Sequence, residues 1–256
     1  MVRPKKSLGQ HFLKDEHIAQ KIVEGLVLPN NHTQVIEVGP GTGMLTKYLM
    51  AKPNIALTLF EIDRESVTYL QEHFPPLTNK IVEGDFLAIR LEKVVPGEFH
   101  IIGNFPYNIS SQIFFKVLEH RQQAKQVVCM LQKEVADRIA EKEGSKTYGI
   151  LSVLLQAYYT IEYLFKVPPG VFFPPPKVMS AVIRLTRNSR ITLGCDEALF
   201  KKVVKQSFQN RRKILRNALK PLNLNATILA LPLMDKRAEQ LSVEQFISLT
   251  QLIEQG

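Results

Sequence analysis

The chain has 256 residues, 45% hydrophobic and 22% charged, enough for one large globular domain and a small second one. No unbroken apolar run approaches the roughly 20 residues of a membrane helix, and two cysteines, Cys129 and Cys195, exclude a disulfide framework or a four-thiolate zinc site. The net charge of +9 favours a polyanionic partner, and the basic stretch up to Lys14 has no apolar segment behind it, so a cytoplasmic protein without a secretory signal is expected.

The first two thirds alternate strand-like and helix-like patterns. Residues 34–38 are a short β-branched run that ends in Gly39-Pro40-Gly41-Thr42-Gly43, and residues 44–50 read as the helix that follows. Strand and helix recur at 56–60 and 66–73, a third strand covers 80–83, and a fourth covers 100–103. Ser110 is expected to N-cap a helix with Ile113, Phe114, Val117 and Leu118 at helical spacing, before a fifth strand at 126–131. This order predicts a doubly wound parallel sheet with ligands bound beyond the strand C-termini. Residues 148–158 read as a helix; strand-like runs at 160–167 and 178–185 then flank residues 168–176, which prolines stiffen. A linker is expected at 188–195 and only helices beyond it, giving domains over 1–188 and 189–256.

The turn after the first strand is Gly-x-Gly-x-Gly; a dinucleotide fingerprint needs a further glycine at position 44, which is Met44. The spacing resembles the turn of S-adenosylmethionine methyltransferases. Glu61, at the end of the second strand, is placed to accept from both ribose hydroxyls of a nucleoside, and Asp85, after the third, to accept from an adenine amine. Either acid taken alone also suits an ordinary strand end.

At the end of the fourth strand stands Asn104-Phe105-Pro106-Tyr107, which resembles the Asn-x-Pro-Tyr motif of methyltransferases acting on exocyclic nucleobase amines. Such an amine is a poor nucleophile because its lone pair is delocalised into the ring. The Asn104 amide oxygen and the Phe105 carbonyl can both accept from it, which turns the lone pair toward a methyl donor; orientation and preorganised charge then supply the acceleration. Tyr107 offers a flat face to an extruded base. Phe172 suits either the opposite face of that base or the core, and Phe173 is expected in the core.

Six segments stand in order: Ser7-Leu8-Gly9-Gln10-His11-Phe12-Leu13, Glu37-Val38-Gly39-Pro40-Gly41-Thr42-Gly43, Gly103-Asn104-Phe105-Pro106-Tyr107-Asn108, Leu131-Gln132-Lys133-Glu134-Val135, Phe172-Phe173-Pro174-Pro175-Pro176-Lys177-Val178 and Phe208-Gln209-Asn210-Arg211-Arg212-Lys213. Together they resemble the KsgA family of ribosomal RNA small-subunit adenine dimethyltransferases, from about Lys5 to Ser242. The resemblance implies an α/β fold: a Rossmann-like class I methyltransferase sheet with a small all-helical C-terminal domain for rRNA binding. It implies transfer of four methyl groups from S-adenosylmethionine to the N6 amines of two adjacent adenines in a hairpin near the 3′ end of 16S rRNA, late in assembly of the small subunit. Carried over, the cofactor residues are His11, Leu13, Gly39, Glu61, Asp85 and Asn104, and the target-base residues Asn104, Tyr107 and Phe172. The chain departs from the family at His11, where asparagine is more common, and at Phe105, where leucine or isoleucine is usual.

Residues 201–220 hold eight Lys or Arg and no Asp or Glu. Leu199, Phe200, Val203, Val204, Phe208, Leu215 and Leu219 recur at helical spacing and are expected to face the core. Lys201, Lys202, Lys205, Arg212, Lys213 and Arg216 fall on other faces and suit rRNA phosphates, while Arg211 suits either side. Arg3, Lys5 and Lys6 extend this patch or form a tail. The expected partner is small-subunit rRNA in a pre-30S ribosomal particle, with no metal, no membrane and no obligate protein partner, and the protein a monomer. Three alternatives stay open: a related resistance methyltransferase of large-subunit rRNA, a small-molecule amine methyltransferase, and a binding protein that occupies immature small subunits.

Overall fold

Short apolar runs such as Val35-Ile36, Ile101-Ile102 and Val127-Val128 are buried almost completely, as strands covered on both faces must be. In the computed structural model they form the centre of a seven-stranded sheet; residues 2–29 and 31–255 are described, with Met1, Asn30 and Gly256 outside them. The strands in sheet order are β4 (Ile81–Glu83), β3 (Ile55–Glu61), β2 (Thr33–Val38), β5 (Phe99–Asn104), β6 (Ala124–Gln132), β9 (Ser180–Arg187) and β7 (Tyr159–Val167). The first five are parallel, but β9 runs antiparallel to β6 with Met130 opposite Val182. The sheet is therefore mixed, not uniformly parallel as the alternating pattern predicts; β7 and β9 follow each other with only the proline stretch between, too short for a helical crossover. A separate two-stranded ribbon pairs β1 (Phe12–Leu13) with β8 (Phe172–Phe173).

Helices start where acids cap them. Asp15 accepts from the Ile18 amide at the start of α1 (Glu16–Glu24), and Asp63 from Glu65 at the start of α3 (Arg64–His73). Between them lies the short α2 (Thr46–Met50), and α4 (Leu91–Val94) precedes β5. The helix after the amine motif, α5 (Ser110–Glu119), departs from expectation. Its N-cap is Ile109, and Ser110 instead donates its hydroxyl to the Tyr107 carbonyl at 3.3 Å, which ties the helix to the motif.

Cα packing divides the chain into two compact units: residues up to Ala136 with Ile161–Arg187, and Asp137–Thr160 with residues from Asn188 on. The second unit thus includes 137–160, a segment that the sequence pattern groups with the first domain. Within it α7 (Ile150–Gln156) packs with α8 (Glu197–Gln209) and α11 (Val243–Gln255), and the Phe208 ring lies 6.1 Å from Tyr148 and 5.9 Å from Phe246. The basic segment is two helices, not one: α8 stops at Gln209, residues 210–213 turn, and α9 (Leu215–Ala218) resumes. Phe200, Val203, Val204, Phe208, Leu215 and Leu219 are buried, as their spacing predicts, and Leu199 is half-buried. Among the described residues no helix is long and apolar enough to cross a membrane.

Glu37, on β2, is 1% exposed and accepts from the Thr46 hydroxyl at 2.7 Å. Burial pushes its carboxyl up to about 8. A folded-state pKa above the unfolded one confers stability at low pH that is lost as pH rises toward 8. Glu37→Gln, neutral throughout, is expected to gain on the parent by on the order of 3 kcal/mol between pH 4.5 and pH 8. Urea unfolding at both pH values measures this, and a pH-independent difference contradicts it.

Candidate active site

The C-terminal ends of β2, β3, β4 and β5 open into one cleft of about 700 Å³, and the residues just before β1 form its remaining wall. At its base is the glycine turn. Gly39 (φ 68°) and Gly41 (φ 57°) hold left-handed torsions that other residues adopt only with strain. A Cβ on Gly41 would come within 2.9 Å of the Phe12 ring, so the turn and the β1 wall approach closely only because that atom is missing.

Two carboxylates line the adjacent wall. Glu61 is 4% exposed; its Oε2 accepts from the Gly41 amide at 3.0 Å and its Oε1 from the Asp63 amide at 2.9 Å. Burial pushes this carboxyl up, and the backbone amides of Asp63, Gly41 and Ile62 pull it back. A carboxylate has about four lone-pair sites, so Glu61 keeps capacity to accept from a ligand hydroxyl. Asp85 is exposed on the cleft and accepts from the Leu87 amide through Oδ1.

The turn that carries Asp85 is clamped from behind by Lys116, which the sequence reading passed over. Lys116 is 7% exposed; its ammonium donates to the carbonyls of Leu87 at 3.0 Å and Ile89 at 2.5 Å and stands 5.5 Å from the centre of the Phe86 ring. Burial pushes this ammonium below its ordinary range, against the pull of Glu119, Glu92 and Asp85. Its signal was a lysine three residues after Ile113, on the apolar face of α5.

The amine motif forms the opposite wall. The Asn104 side-chain nitrogen donates to the His11 carbonyl at 2.8 Å, which leaves Oδ1 as the acceptor the amide can offer. The Phe105 ring is buried against Phe114, and its amide donates to the Met130 carbonyl at 2.9 Å. The Tyr107 hydroxyl pairs with Ser180 Oγ at 2.5 Å, and its ring lies 5.4 Å from that of His11. His11 Nδ1 is 2.7 Å from the Pro174 carbonyl.

The wall before β1 is fastened to the sheet. Lys5 pairs with Asp63 and Glu65, and Gln10 donates to Asp63 at 3.2 Å. Lys5 is therefore not a free tail, and Asp63 raises its ammonium. Burial acts to raise the Asp63 carboxyl, but Lys5 and Gln10 outweigh it and hold it low.

Ribbon register decides Phe172, which suits either place by sequence, and overturns the expected burial of Phe173. Opposed residues of an antiparallel pair share a face, so Leu13 and Phe172 point together, as do Phe12 and Phe173. Leu13 and Phe172 join the core, Phe172 being 1% exposed, whereas Phe12 lines the cleft and Phe173 is 56% exposed. Phe172 is absent from the cleft lining and has no free face to stack on a base. Leu13 borders only a smaller hollow, with Glu37, Gly39 and Asn104. The cleft thus brings together His11, Gly39, Glu61, Asp85, Asn104 and Tyr107.

In the C-terminal unit, Arg212 and Lys213 are exposed on the turn between α8 and α9. Arg216 pairs with Asp235 at 2.8 Å. Arg211 is structural: its Nη2 donates to the carbonyls of Lys146 at 2.5 Å and Tyr148 at 2.9 Å.

The donor set suits a nucleoside with a charged tail: a paired-oxygen acid, a second carboxylate and a glycine turn without Cβ atoms. Comparison with known proteins agrees. The family model described as Ribosomal RNA adenine dimethylase matches residues 1–255. Proteins named Ribosomal RNA small subunit methyltransferase A are 56% identical over 252 residues in Cytophaga hutchinsonii (98% of each chain) and 57% identical over 251 in Parabacteroides distasonis (98% of this chain, 94% of that one). The fold is similar to that of a dimethyladenosine transferase from Plasmodium falciparum, with TM-score 0.80, 24% identity and 96% and 98% of the two chains covered. It also resembles the 23S rRNA methyltransferase ErmE, with TM-score 0.65, 24% identity and 94% and 99% of the two chains covered.

Lys116→Met is expected to loosen the Asp85 turn and weaken S-adenosylmethionine binding about tenfold, the cost of roughly one lost hydrogen bond to a charged group. Titration calorimetry measures it, and an unchanged Kd would show that the turn holds without the clamp.

Proposed function

The chain belongs to the ribosomal RNA adenine dimethylase family, whose members are S-adenosylmethionine-dependent methyltransferases, and from that premise we propose how its residues act. The reaction is N6-dimethylation of adenine in small-subunit rRNA. The targets are two adjacent adenines in a hairpin near the 3′ end, modified late in assembly on a pre-30S particle in the cytoplasm. The enzyme acts as a monomer without an obligate protein partner.

The observation that carries this reading is the orientation of Asn104. With its NH₂ held by the His11 carbonyl, the amide oxygen is the group offered to a donor, next to the Phe105 carbonyl. Two acceptors side by side match an exocyclic NH₂, which has two hydrogens to give. Accepting both aligns the nitrogen lone pair, and the acceptors are already fixed before the reaction begins. Tyr107 stacks on the base, its ring held by Ser180 and His11. Bound S-adenosylmethionine supplies an electrophilic methyl group on a sulfonium. Glu61 would hold its ribose hydroxyls, Asp85 its adenine amine, and Gly39 and the segment around His11 its tail.

The first unit carries the transfer and the C-terminal helices position the protein on rRNA. Arg212, Lys213 and Arg216 contact phosphates without reading sequence, and Arg211 supports the turn that carries them.

Radiolabelled methyl transfer tests the reading, with unmethylated small subunits, large subunits and free adenosine in parallel. Label is expected in small-subunit dimethyladenine only and to be lost with Asn104→Ala; label in large-subunit RNA, or none anywhere, contradicts it. A second expectation separates the arginines. Arg212→Ala with Lys213→Ala should lower the slope of log affinity against log salt by about 2 with Tm unchanged, whereas Arg211→Ala should chiefly lower Tm. Equal effects on Tm would remove the distinction.

A further inference from the structure

An extruded base leaves a gap in its strand, and the bases beside the gap lose a stacking partner. A ring at the mouth of the cleft could replace that partner, and the protein has one that the transfer chemistry does not use. Phe173 is 56% exposed, and among the described residues every other phenylalanine and tyrosine is buried or half-buried. It is not a loosely held loop residue. Its β8 backbone pairs with β1, and it shares a ribbon face with the cleft-lining Phe12. The segment after it is fastened to the site at both ends: the Pro174 carbonyl to His11 Nδ1 at 2.7 Å, and Ser180 Oγ to the Tyr107 hydroxyl at 2.5 Å. Between these anchors the Met179 carbonyl accepts from the Lys133 amide at 2.9 Å, and Val178 and Met179 are also exposed. Several exposed apolar side chains on one braced segment suit an interaction site. Lys177 lies exposed in the same segment, so the patch couples a flat apolar face to a cation, as the chemistry of a nucleotide requires.

We propose that Phe173 is a stacking platform for the unpaired base next to the target adenine, and that it determines how well RNA engages the cleft. The inference rests on the reading of an RNA adenine as substrate. Tyr107 takes the base that reacts; Phe173 takes the neighbour and never meets the methyl donor. Every base has a π-face, so the contact adds affinity in any sequence context.

The test compares Phe173→Ala, Phe173→Leu and Phe173→Trp in methyl transfer to unmethylated small subunits, with S-adenosylmethionine affinity by calorimetry on the same proteins. Stacking predicts that Ala and Leu both raise KM for the small subunit about tenfold, that Trp restores it, and that cofactor Kd stays at the parental value in all three. Leu is the discriminating variant, since it keeps apolar bulk and removes the ring. A Leu variant with parental KM overturns stacking, as does an Ala variant with parental KM. If cofactor affinity falls in step with transfer, Phe173 holds the ribbon together and the proposal is also overturned. Failure of the unsubstituted protein to methylate small subunits would instead count against the substrate reading.

Discussion

A primary amide has an acceptor end and a donor end of similar shape, and the chemistry of this cleft depends on which one Asn104 presents. The His11 carbonyl decides it by taking the NH₂ group. That carbonyl is held in place by a chain of weaker constraints: β1 pairs with β8, the His11 ring bonds to Pro174, and residues further back are pinned to Asp63 by Lys5 and Gln10. The segment before β1 therefore belongs to the site although it lies outside the sheet. Without it Asn104 could turn either way, and a wrongly turned amide would repel the amine it has to hold.

The opposite wall has a different problem, which is to keep carboxylates at the ends of buried strands. Glu37, Glu61 and Asp63 stand at or just beyond the C-terminal ends of the neighbouring strands β2 and β3 and are almost fully buried. Each is managed differently. Glu37 gives up its charge, Glu61 is neutralised in part by the Gly41 and Asp63 amides, and Asp63 stays ionised against Lys5. Lys116 does the converse on the neighbouring turn, an ammonium buried among carbonyls. Such groups cost stability when desolvated, and fixed positions for a nucleoside are what the fold gains in return.

Much of this was legible in the residues. The alternation of strands and helices along the first half of the chain, the glycine turn, Glu61, Asp85 and Asn104 follow from periodicity and from motifs whose geometry is local, so contiguous sequence describes them. What failed was non-local. The antiparallel β9 depends on which sheet edge is open, and the grouping of residues 137–160 with the C-terminal helices depends on packing of Tyr148 against Phe208. Phe172 and Phe173 are adjacent and alike, and only the register of a two-residue ribbon says which one is buried. Lys5 reads as a tail or patch residue and Arg211 stays ambiguous in sequence because their partners, Asp63 and the carbonyls of Lys146 and Tyr148, are about 60 residues away. The His11 carbonyl could not have been found at all, since every residue has one.

The claim on which the account turns is that Asn104 works because its nitrogen is held and its oxygen is free. Asn104→Asp isolates that claim, since it keeps shape and acceptors while removing the donor and placing an anion against the His11 carbonyl. Single-turnover methyl transfer with saturating cofactor is expected to slow by at least about a hundredfold, the cost of losing one hydrogen bond and gaining one repulsion at the reacting centre. A variant that transfers methyl at the parental rate would contradict the account, because the oxygen would then need no amide to aim it.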